Sequence, residues 1–170
     1  MKTVLLMRHA KSSWKEKELD DIERPLNKRG KKDAPRVGEV LFDKELTPQM
    51  ILCSPALRAR QTAELVADKC EYMGEITYLD SFYLAEPSVY ESALCSLPDN
   101  IERVMLIGHN PGMEGLVQIL GYEVESLPTA SVAYLALPID HWSEMEGKDG
   151  NVHGDIIQLW RPRDLKSKKN

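Results

Sequence analysis

Arg103-Val104-Met105-Leu106-Ile107-Gly108-His109-Asn110-Pro111 decides how the rest of the 170-residue chain is read. The apolar run ending at residue 107 is short and shows no polar alternation, so it reads as a strand buried on both faces. Gly108-His109-Asn110-Pro111 then opens a helix reaching about Leu120, with Asn110 as its cap and Pro111 at its first helical position. A doubly buried strand that passes straight into a helix is the repeating unit of an α/β fold with a mainly parallel sheet.

The same alternation recurs on either side. Residues 4–7 form a short buried strand, and Asn27 caps a helix running to about Asp43, in which Pro35 predicts a kink or a later start. Residues 50–53 are a second strand. Ser54-Pro55 then reads as a helix opening, a capping hydroxyl followed by proline at the first position, and Leu57, Gln61 and Leu65 keep helical spacing to about Cys70. A third strand over residues 76–79 precedes a helix over about 87–96. Residues 132–137 and 155–160 alternate in the β manner and pair as an antiparallel edge across the turn-rich residues 140–154, expected to be a solvent-exposed hairpin loop. The expectation is a three-layer α/β/α sandwich, with one domain over residues 1–162 and a basic, frayed tail over 163–170.

Hydrophobic residues make up 42% of the chain and charged residues 29%, as in ordinary globular proteins. A net charge of −5 argues against a general nucleic-acid binder, which needs a basic surface to neutralise phosphates. Cys53, Cys70 and Cys95 are odd in number and lack C-x-x-C spacing. That disfavours a disulfide framework or a zinc site and points to a reducing, cytoplasmic compartment. The first apolar run, cut short by Arg8, is too short for a signal-peptide core or a membrane span. The expected partners therefore exclude nucleic acid and membrane, and oligomeric state is not legible.

In open α/β sheets ligands sit beyond the carboxyl ends of the strands. Arg8 and His9 lie just past the first strand, Arg58 in the first turn after the second, and His109 at the end of the 103–107 strand. Two histidines and two arginines from three distant segments thus fall on one edge. Arginine offers a permanently charged fork matched to phosphate oxygens, neutral histidine is a competent nucleophile, and helix N-termini at Ser54 and Asn110 add positive dipole ends. Taken singly, Arg8-His9 is an ordinary polar loop, Arg58 a surface helix residue and His109 a turn residue. It is their convergence that points to an anion cradle holding a nucleophile. Arg60, two positions from Arg58, should point elsewhere.

Arg8-His9-Ala10, the run Ser54-Pro55-Ala56-Leu57-Arg58-Ala59-Arg60-Gln61-Thr62, and Gly108-His109-Asn110-Pro111 resemble the signatures of the histidine phosphatase superfamily, which includes the phosphoglycerate mutases. The short length and Arg24-Pro25-Leu26 resemble its SixA-type phosphohistidine phosphatases most. The resemblance implies that His9 attacks phosphorus in line and becomes a phosphohistidine, that Arg8, Arg58 and His109 hold the equatorial oxygens, and that water then releases phosphate. It implies no metal and no cofactor. It also implies a pocket role for Arg24, whose alternative is pairing with the acidic residues 16–23. Many relatives carry glycine where this chain has Ala10, which is tolerable if the backbone there is not left-handed. Where a mutase-like pattern has asparagine, this chain has Ser12-Ser13-Trp14-Lys15; Lys15 either reaches an anion or stays solvated.

Cleaving a phosphomonoester requires a proton for the leaving alkoxide. Glu86, after the third strand and opening a helix, is the candidate acid; its alternative is a first-turn glutamate favoured by the helix dipole. A phosphohistidine demands less, because its imidazole can leave already protonated. Roughly twenty residues between the third and fourth strands leave room for a crossover helix and no large cap, which predicts an open pocket that suits a phosphorylated protein side chain or an indiscriminate phosphatase better than a mutase. The leading reading is a phosphohistidine phosphatase acting on phosphoprotein. The alternatives are a small-molecule phosphomonoesterase or mutase, and a non-catalytic phosphate-binding module.

Overall fold

The computed structural model describes residues 1–122, 126–146 and 152–165. Strands β1 (Lys2–Arg8), β2 (Met50–Cys53), β3 (Ile76–Tyr78), β4 (Arg103–Gly108), β5 (Val132–Leu137) and β6 (Asp155–Trp160) form one sheet in the order β3-β2-β4-β1-β5-β6. The first four run parallel; β5 is antiparallel to β1, and β6 to β5.

Strand alternation sorts the core into two layers. Val4, Leu6, Val104, Leu106 and Leu135 face one side, where α3 (Pro87–Cys95) and α4 (Gly112–Gly121) pack through Tyr90, Leu94, Met113 and Leu116. Leu5, Met7, Met105, Ile107 and Val132 face the other, covered by α1 (Lys28–Asp43) and α2 (Leu57–Lys69) through Val37, Leu41, Ala63 and Val66. The three-layer α/β/α architecture expected from the strand–helix alternation is the one observed.

The Asn27 cap and the end of its helix near Asp43 are as expected, and several other local expectations are corrected. Helix α1 starts after Asn27, whose side chain accepts the Gly30 N–H at 2.9 Å, and it runs through Pro35 without a later start. Helix α2 begins at Leu57, so Ser54 is not its cap; α4 begins at Gly112, with Pro111 at the cap position. Asn110 Oδ1 instead accepts the Glu114 N–H at 3.2 Å. Residues 142–146 are not a solvent-exposed hairpin loop: Trp142–Glu146 form a 3-10 turn in which Trp142 is fully buried and donates to the Ile101 carbonyl at 2.7 Å. Residues 147–151 of that segment, and 166–170 of the expected tail, lie outside the described residues; Pro162–Asp164 form a short 3-10 turn with Pro162 buried. Among the described residues no helix is long and apolar enough to cross a membrane.

Register positions the carboxyl edge. Arg8 stands opposite Gly108, and Cys53 opposite Ile107. The next residue of each strand is therefore His9, His109 and Ser54, side by side on β1, β4 and β2. Backbone bonds lock the row, with the His9 N–H on the Gly108 carbonyl and the Ser54 N–H on the Ile107 carbonyl, both at 3.0 Å.

Candidate active site

His9 is buried, with 7% of its surface exposed. Its Nδ1 lies 2.7 Å from the Ala10 carbonyl oxygen, which can only accept, so Nδ1 carries the proton and the lone pair resides on Nε2. Burial, helped by the nearby Arg58, Arg8 and Arg24 charges, lowers the His9 pKa to about 4, against the opposing pull of the Ala10 bond. Neutral at pH 7 and with its tautomer set, the ring has the properties of a nitrogen nucleophile. Ala10 donates its N–H to Thr62 Oγ1 at 3.0 Å, and its backbone is not left-handed, so alanine stands here without strain.

His109 sits 5.1 Å from His9, centroid to centroid, and is 1% exposed. Its Nε2 is 2.6 Å from Ser54 Oγ, and Arg58 approaches its Nδ1 at 3.5 Å. Burial first, then the neighbouring His9 and Arg58, lower its pKa to about 3. Ser54 also accepts the Ala56 N–H at 3.2 Å. The residue expected to cap α2 instead holds the second histidine of the site.

Arg58, the second residue of α2, is 4% exposed. It donates to the Asp21 carbonyl at 2.7 Å and to Asp21 Oδ2 at 3.0 Å. Asp21 Oδ1 also accepts from Arg24 at 2.9 Å, and Tyr83 donates its hydroxyl to Oδ2. The Tyr83 bond, followed by those from Arg24 and Arg58, holds the Asp21 carboxyl far below the ordinary carboxylate range. Residues 9–27 fold over the site through a bridge between Ser12 and Leu26, which brings Arg24 in. There its Nε donates to the Ser13 carbonyl at 3.1 Å, while Trp14 stacks on its guanidinium at 3.2 Å. Arg24 both lines the cleft and pairs with Asp21, an acid of the 16–23 run, so the two placements weighed for it are compatible.

Arg8, His9, Arg24, Arg58 and His109 line one cleft of about 320 Å³, with Lys11 and Thr129 on its rim. Arg8 donates to the Leu127 carbonyl at 3.4 Å, but its Nε is buried with no acceptor among the described residues. Such a donor calls for an acceptor in the cleft. Among the described residues that line it, none is an aspartate or glutamate. Glu86, the expected acid, is exposed at the cap position of α3 and does not line the cleft; Leu84 does. Lys15 is exposed and outside the lining, and Arg60 stacks on Tyr78 at 4.4 Å. Sequence reading passed over Asp21 and Tyr83, took Ser54 for a helix cap and gave Thr62 no role of its own. Only the Asp21–Arg24 spacing of three carried any signal, and it was hidden in a run of acids. Among the described residues no group of three or more His, Cys, Asp or Glu could hold a metal ion.

The model of the histidine phosphatase superfamily (branch 1) matches residues 4–82. An uncharacterized chloroplastic protein of Arabidopsis thaliana is 33% identical over 151 residues, covering 83% of this chain and 69% of its own length. An uncharacterized protein of Mycobacterium tuberculosis is 30% identical, covering 82% and 92%. A structure from Agrobacterium tumefaciens, provisionally described as phosphohistidine phosphatase SixA, superposes with TM-score 0.80 at 27% identity, covering 95% of this chain and 98% of that one. A protein histidine phosphatase SixA complexed with tungstate superposes at 0.78 with 24% identity, covering 96% and 99%. The chain belongs to the histidine phosphatase superfamily, and its fold is that of the SixA structures.

Proposed function

We propose that this chain is a metal-independent phosphohistidine phosphatase that acts on phosphoprotein through a covalent phosphohistidine on His9. The observation that carries the reading is a cleft that combines a neutral, tautomer-set histidine with three arginines and, among the described residues, no carboxylic acid in its lining. Asp21, the nearest acid on Arg58, is held as a carboxylate and has no proton to give. The likeness to the Agrobacterium tumefaciens structure described as phosphohistidine phosphatase SixA supports the same substrate chemistry.

In the proposed reaction His9 Nε2 attacks phosphorus in line, forming a new P–N bond as the substrate's P–N bond breaks. The leaving imidazole carries away its own proton, so no acid is needed on the enzyme. Arg8 and Arg58 offer charged donors to the equatorial oxygens, and the unsatisfied Arg8 Nε gains its acceptor there. In the resting site Arg58 donates to His109 Nδ1. His109 therefore becomes a third donor only when that guanidinium turns to the phosphoryl oxygens and Nδ1 takes the proton, with Ser54 then donating its hydroxyl proton to Nε2. Water then attacks the His9 phosphoryl group, releasing phosphate and restoring the imidazole; a loose transition state makes little demand for a base.

The test is a comparison of kcat/KM for a phosphohistidine peptide and for an alkyl phosphomonoester, with and without chelator. A preference for the phosphoramidate of about 100-fold or more is expected, because the ester lacks its acid. Rates should be unaffected by chelator. Equal turnover of the ester would favour a general phosphomonoesterase and sink the substrate assignment.

A further inference from the structure

Helix α1 carries its charges the wrong way round. Its first turn holds no acid, while Lys28, Arg29, Lys31 and Lys32 crowd the end where the helix dipole is positive. Lys28, Lys32 and Arg36 repeat at a spacing of four, so like charges stack on one face. Both features oppose helix stability, and folding alone gives no reason for them.

The stripe borders the catalytic cleft. A second cavity, of about 280 Å³, shares Lys11 and Thr129 with that cleft and is lined by Arg29, Arg161 and Arg163. A third continues from it through Arg29 and Arg163 to Lys28, Lys32 and Arg36. Among the described residues Asp33 is the one carboxylate lining either cavity; it is 4% exposed and engaged by Arg29 at 3.4 Å and Arg36 at 3.9 Å. Lys11, Lys28 and Lys32 are exposed, with no ion pair among the described residues. All this stands on a chain whose net charge is −5. Along α1 the stripe alone extends about 12 Å at 1.5 Å per residue, too far from the cleft for one small phosphate ester to span.

We infer that the face formed by the start of α1 and residues 161–163 is a docking surface for an acidic protein, and that it presents acidic phosphohistidine proteins to the cleft. This rests on the phosphatase reading for its substrate, but the surface can be tested apart from catalysis. Arg163 pairs with Asp164 at 3.9 Å, so the free charge of the face rests on Lys11, Lys28 and Lys32, and exposed cations bordering a reaction cleft select and steer an oppositely charged partner.

The probes are one phosphohistidine peptide flanked by glutamates, the same peptide flanked by lysines, and the unphosphorylated glutamate peptide for anisotropy binding. The glutamate flank should raise kcat/KM at least tenfold over the lysine flank, chiefly through KM, and the preference should collapse in 0.5 M salt. Lys28→Glu/Lys32→Glu should erase the preference and weaken binding of the unphosphorylated peptide at least fivefold. Turnover of free phosphohistidine should be unchanged, and Tm should hold or rise because the dipole clash is relieved. No discrimination between flanks with free phosphohistidine still hydrolysed overturns the docking proposal alone. Undiminished peptide binding by the double variant overturns it whatever the catalysis. Binding of phosphatidylserine vesicles or a duplex oligonucleotide to this face, with no peptide preference, overturns it in favour of that partner.

Discussion

Lowering the pH from 7 to 5 should cost the fold about 4 kcal/mol through two histidines. In the unfolded chain each titrates near 6.5, whereas folding buries His9 with its pKa at about 4 and His109 at about 3. Between 6.5 and those lowered values the unfolded chain binds more protons than the folded one, so stability falls as pH falls, and levels off only below the folded values. At pH 5 both rings are still neutral in the fold but 1.5 units below the unfolded value, which at about 1.4 kcal/mol per unit gives about 2 kcal/mol each. Such a loss is a large fraction of a typical domain's stability, roughly 5–15 kcal/mol. His141 works in the opposite sense, because its bond to Asp99 raises its pKa and favours the fold at low pH, so the measurement belongs in a His141→Gln background. Urea melts at pH 7, 6 and 5 give the loss, and long-range proton–nitrogen correlation spectra give each ring's titration and tautomer. His9→Gln should cut the loss by about half. A loss under about 1 kcal/mol, or a His9 ring titrating near 6.5, would refute the argument that burial keeps the nucleophile neutral.

Ser54→Ala removes the hydroxyl 2.6 Å from His109, and should lower kcat/KM by a factor corresponding to about 1–3 kcal/mol while shifting the His109 tautomer signal in the same spectra. An unchanged spectrum would mean that Ser54 does not position the ring. Glu86→Gln should leave phosphohistidine turnover within about twofold, since Glu86 is exposed outside the cleft; a loss above about tenfold would restore it as a participating acid. Gly112→Ala places a Cβ 1.8 Å from the Ala85 carbonyl oxygen, backbone against helix, and should destabilise by about 1–3 kcal/mol in urea melts.

The features legible in the sequence were those written by periodicity and by strand ends. Runs such as residues 103–107 and 4–7 can only be buried strands, and register then obliges the residues that follow them to share an edge. That is why Arg8, His9, Arg58 and His109 could be brought to one edge from spacing alone. Contacts made across the sheet by side chains from loops left no such trace. Ser54 looked like a helix cap because a hydroxyl before proline usually is one, yet α2 starts later and the hydroxyl turns to His109. Asp21 is one acid among many in residues 16–23, and only the folding of that loop over the cleft selects it to clamp Arg58 and Arg24. Glu86 was placed correctly at a helix start, but a cap position fixes the backbone and leaves the direction of the side chain open. Trp142 shows the same limit, since a turn-rich composition gave no sign that its ring would be fully buried.

The central claim is that His9 carries the phosphoryl group. Incubating the protein with a labelled phosphohistidine donor, quenching, and mapping the label tests this directly. An acid-labile, base-stable phosphoryl group on His9, absent from His9→Ala together with turnover, is the predicted result. Label on another residue, turnover that survives His9→Ala, or neither label nor turnover with the wild-type chain would contradict it.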